Sequence, residues 1–140
     1  MTDIEIIAAD ANPLLQAVIS GKARTIIERA QARFVTTQFS IDEVRKYLPQ
    51  LVQRPDFQRA GATGTELLSV LEALPVEVFT PYHYKSFIPA AQKAIRQIDP
   101  KDVDIVSLAM MFRAAVWSND PHFKQAGIRC YSTEELLGWL

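Results

Sequence analysis

The sequence predicts an α/β fold, a three-layer α/β/α sandwich around a mostly parallel central sheet. Two observations support this prediction. Short apolar or β-prone runs alternate with amphipathic helical patterns along all 140 residues, which is typical of parallel strands joined by crossover helices. One helical segment, near residues 100–114, is apolar on nearly every face, as expected of a helix buried at the centre of the molecule. We therefore expect a single domain over residues 1–140.

The first part of the chain gives two strands and two helices. An apolar run at 4–9 predicts a buried strand that stops at Asp10. Asn12, followed by a proline, is typical of an N-cap and a first helical turn, so a helix is expected over 13–20. A β-prone run at 34–37 is the second predicted strand. A second helix is predicted between the first helix and this strand, because apolar residues there have the i, i+3, i+4, i+7 spacing of one helix face. These residues are Ala23, Ile26, Ile27 and Ala30.

Capping signatures mark the helices of the middle segment. Ser40 and Glu43 have the Ser-x-x-Glu spacing of a capping box, and Thr63 and Glu66 repeat it as Thr-x-x-Glu before a leucine-rich stretch. Each pair therefore predicts the start of a helix. A third strand candidate follows at 76–79.

The last part of the chain continues the alternation. Asp99, followed by a proline, predicts the N-cap of the central helix, and Ser132 with Glu135 forms another Ser-x-x-Glu pair. The predicted elements are a helix within 82–97, the central helix from about 100 to 114, strands at 115–117 and 128–131, and a terminal helix after 132.

Composition excludes several classes of protein. The formal net charge is −1, with 15 basic and 16 acidic residues, so any contact with nucleic acid must come from a local patch. Cys130 is the sole cysteine, which rules out an intrachain disulfide and a cysteine-based zinc site. A basic leader and an apolar run long enough to span a bilayer are both absent, so we expect a soluble, cytoplasmic protein with no membrane contact.

Four acidic residues occupy positions where α/β proteins place their sites. Asp10 ends the first strand and Asp120 follows the strand at 115–117, whereas Glu43 and Asp102 lie in the first turns of predicted helices. In open parallel sheets, sites form beyond the carboxyl ends of the strands. If the strands are adjacent, all four side chains could point into one cleft.

Such a cluster of carboxylates favours metal chemistry. Four negative charges repel one another unless protons or cations neutralise them. Hard oxygen ligands without histidine or thiol favour Mg²⁺ or Mn²⁺, and such an ion can activate water and stabilise a phosphoryl transition state. The residues therefore indicate phosphodiester hydrolysis, with no need for a serine, cysteine or histidine nucleophile.

Together these segments make the sequence resemble the PIN-domain nucleases. The matching stretches are IIAADANPLL, TTQFSIDEV, DPKDVDIVSLAM and VWSNDPHF, which cover essentially the whole chain in order. PIN domains carry an acid after the first strand, another early in a following helix, one opening the central helix and one after the next strand. On this sequence those positions are Asp10, Glu43, Asp102 and Asp120.

The resemblance also implies a biological role and accessory residues. Many PIN proteins are VapC-like toxins of toxin–antitoxin pairs, which implies an RNA substrate, Mg²⁺ or Mn²⁺ as cofactor, a homodimer and an antitoxin partner. Asn12 fits the family's Asp-x-Asn opening, and Ser118 fits a hydroxyl residue found two positions before the last acid. Asp104 would be an accessory ligand or a solvated first-turn acid. Asp99 is better interpreted as an N-cap than as a ligand.

Each acid also has a purely structural interpretation. Glu43 could serve only its capping box, Asp102 could be a first-turn acid favoured by the helix dipole, and Asp120 could be a turn residue. His122 is interpreted as a surface or structural histidine. The hypothesis of a site therefore depends on the joint placement of the four acids.

Two other functions stay open at this point. One is a metal-assisted phosphatase, although phosphatases of the haloacid-dehalogenase type usually carry Asp-x-Asp after the first strand, and Asn12 occupies the second of those positions here. The other is a PIN-fold module that binds RNA or protein without catalysis. A divalent-metal-dependent endoribonuclease of the toxin type is the first hypothesis.

Overall fold

The computed structural model describes residues 4–61, 63–95 and 99–140, which build one five-stranded sheet with helices on both faces. All strand pairs are parallel, in the order β3-β2-β1-β4-β5. The three-layer α/β/α sandwich is therefore confirmed, and its described sheet is parallel throughout. The strands are β1 (Glu5–Ala9), β2 (Ala32–Thr37), β3 (Val76–Phe79), β4 (Ala115–Trp117) and β5 (Cys130–Tyr131).

Ten α-helices lie in the described part of the chain, with two 3₁₀ turns at Lys85–Phe87 and Pro100–Asp102. The end of the helix predicted within 82–97 falls outside the described residues. None of the described helices is long and apolar enough to cross a membrane. The helices are α1 (Ala11–Ile19), α2 (Gly21–Arg29), α3 (Gln38–Leu51), α4 (Pro55–Arg59), α5 (Gly64–Ala73), α6 (Pro81–Tyr84), α7 (Ile88–Ile95), α8 (Val103–Phe112), α9 (His122–Gln125) and α10 (Thr133–Leu137).

The alternation of side chains along the strands produces two hydrophobic cores. In β1, Ile7 and Ala9 face one side of the sheet and Ala8 faces the other, because successive strand residues point in opposite directions. The first side is covered by α1, α2, α3, α5 and α10, and the second by α6 to α9. Both faces of the parallel sheet are thus buried, as such sheets require.

The central helix is α8, as its apolar sequence predicts. Five consecutive residues of it, Ile105 to Ala109, are buried, and the apolar ones belong to the same core as Ala8, Val35 and Val116 of the sheet. Its first turn is the 3₁₀ turn Pro100–Asp102, which Asp99 caps through a hydrogen bond from the Lys101 N–H at 3.0 Å. The predicted cap at Asp99 is confirmed, and Asp102 lies where the 3₁₀ turn becomes α8.

Two predicted helix starts are wrong by two or three residues. Asp10, not Asn12, is the N-cap of α1, and its Oδ1 accepts a hydrogen bond from the Ala11 N–H at 2.9 Å. Thr37, not Ser40, caps α3, and its hydroxyl accepts from the Ser40 N–H at 3.0 Å. In both cases an acceptor side chain closer to the strand end satisfies the first free N–H groups, so the helix begins earlier.

Other caps were predicted correctly. The Thr63 hydroxyl accepts from the Glu66 N–H at 3.1 Å at the start of α5. Ser132 and Glu135 form a complete capping box, with both reciprocal bonds at 3.1 Å. The short helix α4 carries no buried residue and has no counterpart in the sequence prediction, because a one-turn exposed helix has no apolar periodicity.

Candidate active site

The strand order reverses direction at β1, where a site is expected. From β1 the chain adds β2 and β3 on one side, and later β4 and β5 on the other. The carboxyl ends of β1 and β4 are therefore adjacent, with Asp10 following one and Asp120 following the other. Ligands of open parallel sheets bind at such a switch point.

An open cleft of about 380 Å³ lies at this end of the sheet. It falls within the roughly 300–1,000 Å³ range of small-molecule sites. Asp10, Glu43 and Asp102, which come from three separate segments of the chain, share it. The residues that line it are Asp10, Ala11, Asn12, Leu15, Glu43, Val44, Tyr47, Asp99, Lys101 and Asp102.

Backbone hydrogen bonds fix Asp10 at the junction of β1 and β4. Its N–H donates to the Trp117 carbonyl oxygen at 3.0 Å, which extends the parallel pairing by one residue. One carboxylate oxygen, Oδ1, caps α1, while the residue also lines the cleft. Asp10 therefore holds the helix start and contributes to the site at the same time.

The electrostatic environment of Asp10 reflects its acidic neighbours. Burial raises the pKa of this carboxyl above its usual value of 3.8, and the charges of Glu43 and Asp120 raise it further. Hydrogen bonds from the Ala11 N–H and the Ser118 hydroxyl act in the opposite direction. Burial outweighs these bonds, so the carboxylate of Asp10 is costly to ionise without a compensating cation.

Asp102 shows the same effect more strongly. Burial, followed by the charges of Asp10, Asp99 and Asp120, raises the pKa of its carboxyl from 3.8 to about 7. The charge of His122 is the smallest of the causes and acts in the opposite direction. Asp10, Asp102 and Asp120 thus interact electrostatically, although they are far apart in the sequence.

Glu43 faces the cleft from the second turn of α3. Because Thr37 caps this helix, Glu43 is too far along it to complete a capping box. Ser40, the expected partner, is buried and its hydroxyl contacts the Thr37 hydroxyl at 3.0 Å. The capping interpretation of Glu43 is therefore wrong, and its side chain is available to the site.

Asp120 lies beside the cleft but is not among the residues that line it. The buried Ser118 hydroxyl accepts a hydrogen bond from the Asp120 N–H at 3.1 Å. The Asp120 Oδ1 accepts from the His122 N–H at 3.0 Å, and the His122 Nδ1 lies 3.0 Å from the same oxygen. This exposed histidine, two positions after Asp120, is a neighbour of the cluster that sequence reasoning did not assign to it.

The structure separates the two acids at the start of the central helix. Asp102 lines the cleft, whereas Asp104 accepts a hydrogen bond from the hydroxyl of Tyr84, which is fully buried. Burial and the nearby carboxylate both raise the pKa of Tyr84 above its usual value of 10.0. Asp104 therefore ties α6 to α8 and does not belong to the cleft.

The remaining candidate residues differ in exposure. Asn12 is exposed and lines the cleft, and Asp99 lines it while also capping the 3₁₀ turn. Tyr47 and Lys101 line the cleft as well, although the sequence analysis did not single them out. For Tyr47 the available signal was its position four residues after Glu43, on the same face of a helix.

Comparison with known proteins gives the family. The sequence profile described as PIN domain matches residues 8–139. The chain belongs to the PIN-domain family. PIN domains are generally nucleases and generally use divalent metal ions. No curated protein matches the sequence.

The fold of this PIN domain is shared with a solved toxin–antitoxin structure. The structure of VapBC2 from Rickettsia felis, bound to a DNA fragment from its promoter, superposes on this chain with a TM-score of 0.67. The match covers 91% of this chain and 98% of that chain, at 12% sequence identity. At that identity the likeness is one of fold.

The acids of this PIN domain suit a hydrated divalent cation. Across residues 4–61, 63–95 and 99–140, no group of three or more His, Cys, Asp or Glu side chains forms a ready-made metal cage. Mg²⁺ does not need one, because it keeps several waters and binds through one or two carboxylates. The raised pKa values of Asp10 and Asp102 show that added positive charge is favourable here. The oxygen donor set therefore fits the metal chemistry of the family.

Proposed function

We propose that this PIN domain is a divalent-metal-dependent endoribonuclease and the toxin of a toxin–antitoxin pair. The observation that carries the proposal is the meeting of Asp10, Glu43 and Asp102 at one cleft, within reach of the charge of Asp120. Three carboxylates drawn from separate segments, with two of their pKa values raised, indicate a cation site. A structural role for each acid alone would not require them to converge.

The proposed roles follow from where each side chain lies. Asp10, Asp102 and Asp120 would hold one or two Mg²⁺ or Mn²⁺ ions. A bound ion of this kind supplies an activated water and stabilises charge on the non-bridging phosphate oxygens. Glu43 lines the cleft and does not cap a helix. Its carboxylate would accept a hydrogen bond from the attacking water, and so orient the water or take its proton.

Ser118 and Asn12 support this arrangement. The Ser118 hydroxyl accepts a hydrogen bond from the Asp120 N–H and lowers the pKa of Asp10, so one buried side chain acts on two acids that follow adjacent strands. Asn12 exposes an amide at the cleft, where it can contact a metal-bound water. Asp99 contributes charge near Asp102 while its carboxylate caps the 3₁₀ turn.

Partners are proposed by analogy with the solved relative. By analogy with the VapBC2 complex, we expect this chain to bind an antitoxin protein. As in toxins of this type, we also expect a homodimer that acts on RNA in the cytoplasm. Copurification of the chain with the protein encoded beside its gene, and sedimentation of the free chain, would test these two expectations separately.

The decisive experiment is cleavage of RNA by the wild type and by Asp10→Asn. The wild type should cleave a labelled single-stranded RNA with Mn²⁺ and stop when EDTA is added, whereas Asp10→Asn should lose the activity and stay folded. Asp42→Asn, an exposed acid beside Glu43 on α3, is the matched control and should remain active. A fully active Asp10→Asn enzyme would refute the assignment.

The same assay separates the competing functions. Hydrolysis of para-nitrophenyl phosphate without cleavage of RNA would favour a phosphatase. Binding of RNA without cleavage, together with no saturable Mn²⁺ binding, would favour a non-catalytic module. Cleavage within the RNA strand, with internal products and no release of inorganic phosphate, is the result that the endoribonuclease proposal requires.

A further inference from the structure

The cleft is lined by apolar side chains as well as by acids. Leu15, Val44 and Tyr47 supply this apolar lining. Val44 is buried, whereas Tyr47 is 46% exposed. A single exposed aromatic residue on a protein surface is ordinary. Here, however, the ring stands at the edge of the cavity in which the acids meet.

Helix geometry places this ring beside the chemistry. Glu43 and Tyr47 are four residues apart on α3 and both line the cleft. Residues at this spacing are neighbours on one helix face, with Cβ atoms about 5–6 Å apart. A nucleotide whose phosphate sits at the acids therefore has a flat aromatic surface within reach of its base.

A cation completes the set of groups that a nucleotide would need. Lys101 lines the same cleft, in the 3₁₀ turn between Asp99 and Asp102. Within the described residues, its ammonium has no carboxylate at ion-pair distance, in contrast to Lys124, which pairs with Glu135 at 2.5 Å. A lysine without such a pair, lining a cleft rich in acids, is available for a phosphate group.

We propose that the Tyr47 side of the cleft is a nucleobase subsite. It stacks one unpaired base of the RNA next to the scissile phosphate, with Leu15 and Val44 as its floor and Lys101 on a neighbouring phosphate. The subsite rests on the proposed function in one respect, namely that the phosphodiester to be cut lies at the acids. Stacking accepts any base that is free of a duplex, so the substrate class is single-stranded RNA.

Binding and cleavage test the subsite separately. Binding of a fluorescently labelled short single-stranded RNA of mixed sequence is measured by anisotropy with Mn²⁺ in the Asp10→Asn background, where cleavage is not expected. Adding Tyr47→Ala should weaken binding about 5- to 150-fold, the range that loss of one base–aromatic stack produces. Tyr47→Phe keeps the ring and should bind within about twofold of its parent. Tyr82→Ala removes a tyrosine that is 77% exposed on α6, outside the lining of the cleft, and should change nothing.

Two further arms define what is bound. An RNA with one abasic position at the scissile site should bind equally to the parent protein and to its Tyr47→Ala variant, because no base is left to stack. Lys101→Ala should reduce the slope of log affinity against log salt concentration by about 0.7, the value for one lost phosphate contact on a single strand. Lys93→Ala, an exposed lysine on α7, should leave the slope unchanged.

The possible results distinguish a failure of the nucleobase subsite from a failure of the nuclease assignment. If Tyr47→Ala binds intact RNA as tightly as its parent, or loses affinity equally for intact and abasic RNA, the subsite is refuted even when the wild type cleaves RNA. If the wild type cleaves no RNA but the ring-dependent difference in binding is present, the nuclease assignment fails and the subsite stands. Melting temperatures equal to that of the parent show that the variants are folded.

Discussion

Replacing Asp102 by asparagine should remove a pH-dependent loss of stability from the metal-free protein. In the folded chain the pKa of this carboxyl is about 7, compared with an ordinary value of 3.8. Between these two values the folded state holds its proton more tightly than the unfolded state does. The stability contribution is therefore greatest at low pH and declines as the pH rises towards about 7, above which it is constant.

The size of the effect follows from the same two values. A difference of one unit in pKa between the folded and unfolded states corresponds to about 1.4 kcal/mol. A pKa of about 7 in place of 3.8 therefore sets an upper limit of about 4 kcal/mol on the change in stability. The cleft is open, and solvent screens charges at its mouth, which reduces the expected change to about 1–2 kcal/mol. In Asp102→Asn this contribution is absent at every pH.

Urea denaturation followed by circular dichroism would measure it. Wild type and Asp102→Asn are unfolded in EDTA at several pH values between about 4 and 8, and the difference in their free energies of unfolding is plotted against pH. The variant should gain about 1–2 kcal/mol relative to the wild type over this range. Adding Mn²⁺ should restore the wild type at high pH and have a smaller effect on the variant.

The expected change in stability arises from the acidic cluster and not from exposed acids in general. Asp42→Asn, on the exposed face of α3, should follow the pH dependence of the wild type. Parallel curves for wild type and Asp102→Asn would refute the claim that burial and the neighbouring charges raise the pKa of Asp102.

Three other predictions concern separate features of the molecule. In the wild type, Mn²⁺ affinity should rise about tenfold per pH unit below about pH 7, since one proton leaves Asp102 on binding; a calorimetric titration with no such slope would contradict this. Tyr84→Phe removes the buried hydroxyl that bonds Asp104 and should cost about 1–2 kcal/mol in urea denaturation, so an unchanged midpoint would count against that bond. Arg113 ends α8 with a left-handed φ of 52°. Arg113→Gly should stabilise the fold by up to about 1 kcal/mol, because glycine adopts this conformation freely. A lower melting temperature for the variant would contradict this prediction.

Local patterns were sufficient for most of the elements. The β-prone run at 34–37 and residues 7–9 of the apolar run at 4–9 lie in strands, with side chains buried on both faces of a parallel sheet. The segment after Asp99, which is apolar on nearly every face, forms the central helix, in which five consecutive residues are buried. Each of these predictions used the residues of one short window, and in each the tertiary environment agrees with the local preference.

The order of the strands could not be read in this way. That β1 lies between β2 and β4 is a property of pairings between distant segments, such as Ala8 with Val35 and with Val116. Nothing in any one of these runs specifies its neighbour. The carboxyl ends that meet at the cleft, and therefore the distances between the acids, follow from this order.

The candidate site was predicted as a set of residues, and its roles remain predictions. The sequence named the acids that line the cleft or act on it electrostatically, and it chose Asp102 over Asp104, but it left open whether Asp104 is an accessory ligand. The buried hydroxyl of Tyr84 makes that distinction, because it engages Asp104 from α6. Tyr47 and Lys101 were missed because an aromatic residue and a lysine on helical segments look like ordinary surface residues until the cleft beside them is known.

The early start of α3 explains why Glu43 is free to act with the other acids. If Ser40 capped α3, Glu43 would sit in the first turn and its carboxylate would be drawn to the backbone of the cap. Because Thr37 caps it instead, the helix begins at Gln38 and Glu43 is carried into the second turn, where no backbone N–H is unsatisfied. Thr37→Val should therefore weaken the site as well as the helix. The missing cap costs about 1 kcal/mol of stability, and Ser40 becomes the nearest remaining cap. A variant that lost stability but kept full RNA cleavage would show that the position of Glu43 does not depend on this cap.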